Sequence, residues 1–241
     1  MPETTLEARL LSHTPNALAL AYAAFRQCYH AGFVADMWPK LVSGELPREK
    51  QAEFVEGVLA SGHDSPIEHI SFTFAVQGVS RALSHQLVRH RIASYSQQSQ
   101  RYVDGSRFSY IMPPAVARNE TARASFERCM KQIDDAYREL KETLEAGGRG
   151  GTAKEDARFV LPQAVETRLV VTMNCRSLHH FFALRCCGRA QWEIRALATA
   201  MLALCRKAVP ELFATGGAAC ERLGWCPEGE RFTCGRYPLQ S

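Results

Sequence analysis

The sequence predicts a single α+β domain, and three observations lead to this fold class. Residues 71–79 and 165–173 alternate apolar and polar side chains, which is the pattern of strands with one buried face. Residues 14–30 carry apolar side chains at helical spacing, and residues 119–146 form a longer, more polar helical segment. The 241 residues show no internal repeat, no clear linker and too few strands for a doubly wound sheet. We therefore expect one domain over residues 1–241.

Polar residues, proline and glycine mark the expected ends of the helices. Thr14 or Asn16 can cap the first helix. The second is predicted to begin at Pro47, a favoured first-turn residue, and to end at Gly62, a favoured C-terminal stop. The remaining helices are expected at residues 82–92, at 119–146, from a cap at Ser177 to an interruption near Gly188, and at 190–208.

Two segments are expected to lack regular structure. Residues 94–101 are rich in Ser and Gln and have too few apolar side chains to drive packing, so we predict a loop. Residues from about 210 to 241 are predicted to form an irregular tail, which contains Cys220, Cys226 and Cys234.

Composition excludes several classes of protein. The chain is 46% hydrophobic and 22% charged, as average soluble domains are, and its net charge of +4 is too small to indicate nucleic-acid binding. No apolar run has the length of a membrane span, and the N-terminus lacks a signal-peptide core. We therefore expect a cytoplasmic protein without a membrane or nucleic-acid partner, in which the nine cysteines are thiols or metal ligands rather than disulfides.

Two groups of residues could suggest a metal site. The segment GHDSPIEH, residues 62–69, has two histidines and two acids, but their spacing gives no familiar ligand set and its Asp-Ser-Pro sequence favours a turn. The tail cysteines, with Cys186 or Cys187, could form a four-thiolate zinc site if the tail folds back, although the spacing lacks a C-x-x-C pair. We predict no metal.

The segment RHRIASYSQQSQRY, residues 89–102, gathers guanidinium, hydroxyl and amide groups. In the predicted helix, Gln86, Arg89 and His90 would share one face. Guanidinium groups bind phosphate bidentately, and side-chain amides pair with the edge of a base, so the set suits a nucleotide. A solvated helix end with a polar loop is an alternative, and so is single-stranded nucleic-acid binding, with Tyr95 and Tyr102 stacking on bases. The Gln and Ser content favours a small-ligand pocket.

The segment NCRSLHHFFALR, residues 174–185, forms a second such group. Asn174 and Arg176 lie at the end of a predicted strand, just before a helix N-terminus, where anions are favoured. Arg185 lies in an apolar stretch and therefore needs an anionic or polar partner. The alternative to a ligand is a buried ion pair with a glutamate such as Glu193 or Glu166.

These segments resemble the flavin-dependent thymidylate synthases. RHRIASYSQQSQR is similar to the signature of that family, in which RHR is followed seven residues later by Ser, with Arg two further on. GHDSPIEH before a Phe-rich strand, ARFVLP around Arg158, NCRSLHHFFALR and AQWEIR match in order and spacing. The resemblance extends from residue 14 to about 210.

The resemblance implies a central, mostly antiparallel sheet flanked by long helices and a homotetramer with active sites at subunit interfaces. It implies reductive methylation of dUMP to dTMP, with 5,10-methylenetetrahydrofolate as carbon donor and FAD reduced by NADPH as hydride source. No enzyme nucleophile attacks the base in this family. Cys175, between two expected FAD ligands, is expected to be a small packed residue.

The resemblance also implies the site residues. Arg185 corresponds to the arginine that activates the uracil, and we expect it to be catalytic. The implied dUMP ligands are Gln86, Arg89, Gln97, Gln98, Ser99, Gln100, Arg101, Arg158 and Arg185, with the loop 97–101 from a neighbouring subunit. The implied FAD ligands are Ser65, Glu68, Arg89, His90, Arg91, Gln97, Asn174, Arg176 and His180.

The sequence departs from the family pattern at two positions. Arg189 stands where many relatives have a histidine near the flavin, and Gln97 stands where a glutamate is common. Two other functions stay open: a flavin-dependent relative that has lost thymidylate formation, and a nucleic-acid-binding module. Retention of Arg89, Ser99, Arg101 and Arg185 speaks against the first. The second predicts a colourless protein with salt-sensitive binding to oligonucleotides.

Overall fold

The structure, a computed structural model, describes residues 3–240 and has an α+β fold. Its strands are β1 (Glu7–His13), β2 (Ser71–Ser80), β3 (Ala93–Gln97) and β4 (Glu166–Asn174). Its α-helices are α1 (Ala17–Tyr29), α2 (Trp38–Ser43), α3 (Arg48–Ala60), α4 (Arg81–Leu87), α5 (Pro114–Ala117), α6 (Glu120–Leu144), α7 (Ala153–Ala157), α8 (Cys175–Arg185), α9 (Trp192–Ala208), α10 (Pro210–Phe213) and α11 (Ala219–Leu223). None of the helices in this part of the chain is long and apolar enough to cross a membrane.

The four strands form one antiparallel sheet in the order β1-β2-β4-β3. In β2, Phe72, Phe74 and Val76 are buried and alternate with less buried residues, and β4 shows the same alternation. The hydroxyl groups of Thr73 and Thr172 lie 2.9 Å apart across the two central strands. The alternation that predicted strands at 71–79 and 165–173 is therefore confirmed.

The chain divides into two compact units. The first unit contains residues 3–7, 76–88 and 96–169, and the second contains residues 8–75, 89–95 and 170–240. A core around Phe108, Tyr110, Met112, Met130 and Val165 fills the first unit. In the second, the ring of Phe213 packs edge-on against Phe72 at 5.3 Å and Phe182 at 6.1 Å.

The prediction of a loop at 94–101 is wrong over its first half, which forms β3. The composition of this segment did not predict a strand because β3 is stabilised by its partner strand rather than by apolar packing. Beside its end, the backbone N–H of Gln98 donates to Arg168 O at 2.9 Å, and the Gln97 amide donates to the Thr167 hydroxyl at 3.0 Å. A partly exposed strand of this kind needs few apolar side chains.

The predicted helix 82–92 ends five residues early, at Leu87. Ile92 has a φ of 61°, which a helix does not allow, and the next residue starts β3. Arg89 and His90 therefore lie beyond the helix, so the argument that they share a helical face with Gln86 is wrong.

Two further predictions about helix ends need correction. Asn174, not Ser177, caps α8, and its side-chain oxygen accepts from Ser177 N at 2.8 Å. The region 210–241 is not wholly irregular, because it contains the short helices α10 and α11. In its last part, a 2.7 Å hydrogen bond from Cys226 N to Pro238 O holds the chain end close to Cys226.

Candidate active site

Arg185, the last residue of α8, has a neutral partner. Its Nε donates to Nε2 of His90 at 2.9 Å, and both residues belong to the second unit. The His90 ring also packs edge-on against Phe181 at 4.9 Å, and its centroid lies 6.3 Å from that of His180. One face of α8 thus packs against the segment that follows α4.

His90 is held in its uncharged form. Burial, together with the nearby charges of Arg185 and His180, lowers its pKa from 6.5 to about 4. An Nε2 that accepts from Arg185 must carry a lone pair, so the ring proton is on Nδ1. Because neutral His90 orients the guanidinium without compensating its charge, Arg185 keeps a positive charge available for a ligand.

The neutral state of His90 predicts a pH dependence of stability. In the unfolded chain a histidine binds its proton near pH 6.5, whereas folded His90 binds it only near pH 4. The contribution of neutral His90 to the free energy of unfolding should therefore be fully present above pH 6.5. It should be lost as the pH decreases from 6.5 to 4. Urea denaturation should show that the free energy of unfolding decreases less between pH 7 and pH 5 for His90→Gln than for the wild type. Equal decreases in the two proteins would contradict the assignment of a neutral His90.

Tyr95 positions His90 from the other side. Its hydroxyl donates to the carbonyl oxygen of His90 at 2.8 Å, and burial raises the pKa of Tyr95 to about 12, so the hydroxyl stays protonated. This half-buried phenol is engaged inside the second unit, which disfavours the hypothesis that Tyr95 stacks on nucleic-acid bases. Tyr102, by contrast, is exposed.

The N-terminus of α8 carries a second charged group. Arg176 forms ion pairs with Glu68, which lies in the 3₁₀ turn Ser65–His69, and at 3.2 Å with Asp64, which directly precedes that turn. This turn confirms the expectation for GHDSPIEH. Two N–H groups at the start of α8 are already used, Cys175 N by Ile70 O and that of the third helical residue by Asn174. Anion binding here therefore depends mainly on guanidinium groups.

A cavity of about 420 Å³ opens beside this group in the second unit. Its walls include Asp64, Ile67, Arg176, His179, His180 and Ala183. His179 is fixed by a 2.8 Å hydrogen bond to the carbonyl oxygen of Leu212, and burial lowers its pKa. Arg89 and Arg91 are exposed, and they flank His90 in the chain. The ring of His90 packs against Phe181 of α8.

The first unit contains its own cluster of arginines. Arg101 pairs with Glu155 at 3.0 Å, and Arg158 Nε donates to the backbone oxygen of Glu155 at 3.1 Å. Burial lowers the pKa of Arg81, and the nearby charge of Arg158 lowers it further. Three guanidinium groups against one carboxylate leave an excess of positive charge that suits a phosphate.

Sequence reasoning missed Arg81. It is the first residue of α4, directly after β2, and a cation in the first turn of a helix opposes the helix dipole. That unfavourable placement was the available signal for a functional role.

The polar segment after β3 is a tight turn. Val103 N donates to Ser99 O at 3.1 Å, and Arg101 N donates to the Ser99 hydroxyl at 3.2 Å. Gln98 and Gln100 are partly exposed. Gln86 lies in the last turn of α4.

The site residues predicted from the sequence thus fall into two sets. The second unit brings together His90, Arg185 and His180 at α8, and Glu68 with Arg176 at its N-terminus. The first unit brings Arg101 and Arg158 to Glu155. Glu166 accepts from Gly78 N at 3.1 Å, so it is engaged within the first unit, while Glu193 is buried in the first turn of α9.

The described residues 3–240 contain no group of three or more His, Cys, Asp and Glu side chains placed to hold a metal ion. The four-thiolate zinc arrangement considered for the tail is therefore not formed in this structure. Each unit instead carries a group of arginine side chains, and guanidinium groups are suited to phosphate-bearing ligands.

Comparison with known proteins identifies the family. Residues 9–211 match the family model described as thymidylate synthase complementing protein. The chain is 69% identical over 241 residues to the flavin-dependent thymidylate synthase of Nitratidesulfovibrio vulgaris, covering 100% of this chain and 98% of the relative. It is 48% identical to that of Geobacter sulfurreducens, covering 94% and 93%. The chain belongs to the flavin-dependent thymidylate synthases.

A solved structure shows the same fold. The UMP/dUMP methylase PolB from Streptomyces cacaoi, bound with 5-Br dUMP, superposes with a TM-score of 0.72 and covers 88% of this chain and 94% of its own. Its sequence identity is 22%, so this similarity bears on the fold alone.

Proposed function

We propose that the protein makes dTMP by reductive methylation of dUMP, with 5,10-methylenetetrahydrofolate as carbon donor and FAD reduced by NADPH as hydride source, and that tetrahydrofolate is released. Family membership supports the reaction type. The observation that carries the proposal is the contact between Arg185 and neutral His90, which fixes a guanidinium while leaving its charge uncompensated by that partner.

Arg185 is the proposed catalytic residue. Removal of the uracil N3 proton places negative charge on the pyrimidine ring and its oxygens, and this charge makes C5 a better nucleophile. A preorganised guanidinium stabilises such charge without having to reorient during the reaction. The apolar wall of Phe181 beside His90 lowers the local polarity, which strengthens this interaction.

The arginine cluster of the first unit suits the dUMP phosphate. Arg101 and Arg158 are the proposed phosphate ligands, and we add Arg81, because its burial beside Arg158 leaves it in need of an anion. The amides and hydroxyl of the turn after β3 suit the base and sugar. The name of the similar methylase PolB, bound with 5-Br dUMP, supports a uridine nucleotide as substrate. The full proposed dUMP set is Gln86, Arg89, Gln97, Gln98, Ser99, Gln100, Arg101, Arg158 and Arg185.

The residues around the N-terminus of α8 fit FAD. The exposed guanidinium groups of Arg89 and Arg91 can neutralise a pyrophosphate, and the 420 Å³ cavity beside Arg176 has room for part of a dinucleotide. The family description as flavin-dependent supports this assignment. When bound, FAD supplies the redox chemistry between NADPH and the pyrimidine. The full proposed FAD set is Ser65, Glu68, Arg89, His90, Arg91, Gln97, Asn174, Arg176 and His180.

Cys175, which lies between Asn174 and Arg176, is unsuited to attack on the base. Cys175 is fully buried, and burial raises its pKa well above the usual value, so it stays a neutral thiol. This supports a mechanism without an enzyme nucleophile. Assembly of the whole chain, as one domain, into a homotetramer with active sites at subunit interfaces is also part of the proposal, as is a cytoplasmic location.

The absorbance spectrum of the purified protein tests the function. We expect flavin bands that NADPH bleaches under anaerobic conditions, and faster bleaching when dUMP is present, since dUMP completes the site. Formation of dTMP from dUMP and 5,10-methylenetetrahydrofolate then confirms the methyl transfer. A colourless protein that takes up no added FAD and binds oligonucleotides in a salt-sensitive way would contradict the proposal and support the nucleic-acid-binding alternative.

A further inference from the structure

Five of the nine cysteines line a single cavity in the second unit. The cavity measures about 750 Å³ and lies between the end of α8, α9, α11 and the C-terminal tail. It is distinct from the 420 Å³ cavity, although Ala183 and Ala219 contribute to both. The five cysteines on its wall are Cys186, Cys187, Cys220, Cys226 and Cys234. The function proposed above makes no use of these thiols.

The tail brings one of these thiols against the turn that follows α8. Cys234 packs on Gly188: a Cβ built on Gly188 would lie 3.6 Å from Cys234 Cβ and 3.5 Å from its Sγ. Disulfides have Cβ–Cβ distances of about 3.8 Å. Cys234 therefore lies directly beside residue 188, the chain neighbour of Cys187. Cys187, whose Cα is one step of about 3.8 Å from that of Gly188, faces the same cavity.

Accessibility distinguishes two of the five thiols from the others. Burial raises the pKa of Cys186 to about 11 and also raises that of Cys220, and Cys226 is buried as well. A thiol reacts as its thiolate, so Cys186 and Cys220 are poor nucleophiles, and burial shields Cys226 from a small disulfide. Cys234 is exposed and Cys187 is partly exposed.

We propose that Cys187 and Cys234 form a redox modification site, in which they are joined into an intrachain disulfide by exchange with a small-molecule disulfide. The Cys234 thiolate attacks the small disulfide and releases one small thiolate, leaving a mixed disulfide. The Cys187 thiolate then attacks the Cys234 sulfur, forms the intrachain bond and releases the second small thiolate. The protein loses two protons and two electrons, and the small disulfide is reduced to two thiols.

The bond would fix the tail over Arg189. In the reduced protein, Glu228 forms an ion pair with Arg189, and the Phe232 ring lies 4.1 Å from the guanidinium carbon of Arg189. Arg231 approaches the same ring at 5.2 Å. These contacts are exposed and individually weak. A disulfide at Cys234, two residues beyond Phe232, would hold these contacts in place. Oxidation would therefore restrict the movement of the tail, which forms one wall of the cavity.

Peptide mapping of the full-length flavoprotein tests the pairing directly. The reduced protein is incubated with oxidised glutathione, alkylated with N-ethylmaleimide and digested with trypsin without reduction. Cleavage after Arg185, Arg189, Arg231 and Arg236 places Cys187 in the peptide 186–189 and Cys234 in the peptide 232–236. We expect these two peptides to be linked, and fragmentation assigns the bond to Cys187 rather than Cys186. We also expect the melting temperature to rise by about 5 °C or more on oxidation, because the bond closes a long loop.

Two variants control the experiment. Cys28→Ser removes an exposed thiol outside the cavity and should keep both the linked peptide and the rise in melting temperature. Cys234→Ser should lose both and accumulate glutathione on Cys187. A bond from Cys187 to peptide 208–222, which contains Cys220, would overturn the pairing. Stable glutathione adducts on both thiols of the wild type, or no oxidation at all, would overturn the site.

Discussion

Replacing Arg185 with alanine will lower the rate of dTMP formation by roughly 10²–10³-fold while the protein keeps its flavin. The expected loss is large because Arg185 is the group proposed to stabilise charge on the pyrimidine, and its partner His90 is neutral and cannot replace it. Flavin should remain bound, since the exposed guanidinium groups of Arg89, Arg91 and Arg176 are unchanged. Single-turnover assays of the methyl transfer, with flavin content measured at 450 nm, follow both quantities.

Two further variants make this result specific. Arg185→Lys keeps the positive charge but loses the planar Nε–H donor to His90, so it should recover part of the rate at most. Arg128→Ala removes an exposed arginine of α6 and should leave the rate unchanged. Wild-type turnover by Arg185→Ala would remove Arg185 from the mechanism, whereas loss of flavin from that variant would assign the residue to cofactor binding.

Replacing Gly78 with alanine will destabilise the protein by roughly 2–5 kcal/mol. Gly78 lies inside β2 with a φ of 66°, a left-handed conformation that is strained for alanine. A methyl group here would also overlap the carbonyl oxygen of Thr5, a backbone atom that cannot rotate away. The same peptide group donates from Gly78 N to Glu166 at 3.1 Å, so the local backbone has little freedom to adjust. Urea denaturation followed by circular dichroism measures the change.

Gly57 provides the matched control for Gly78. It lies within α3, and a Cβ at this position would meet no atom within 4 Å. Gly57→Ala should therefore stabilise the protein by roughly 0.5–1 kcal/mol, because alanine restricts the unfolded chain and favours the helix. If both variants changed stability equally, the overlap with Thr5 would not be the cause.

The sequence predicted those parts of the fold in which local pattern and burial coincide. Strand β2 was predicted because Phe72 and Phe74 alternate with more polar residues on a sheet buried on one face. Strand β3 was not predicted, because it is short, has few apolar residues and pairs through hydrogen bonds to residues near Arg168, about 70 positions away. The early end of α4 was missed for a similar reason, since the residues after it are committed to that strand.

The sequence predicted which types of residue form the candidate site, but it did not predict which side chains contact each other. Arg176 and Arg185 stood out as cations beside a strand end and within an apolar stretch, and both lie on α8. That Arg185 would be held by a histidine rather than a glutamate could not be predicted, because the two residues are far apart in the chain and their contact is tertiary. Family resemblance supplied the ligand roles, which neither periodicity nor spacing could give.

Strand β4 passes directly into α8, since Asn174 ends the strand and Cys175 begins the helix. The junction is fixed by Asn174, which caps the helix, and by the 2.7 Å hydrogen bond from Cys175 N to Ile70 O. Inserting one residue here would rotate the helix by about 100° relative to the sheet and move Arg176 and Arg185 out of place together. The number of residues at this junction therefore sets the orientation of both arginines relative to the sheet.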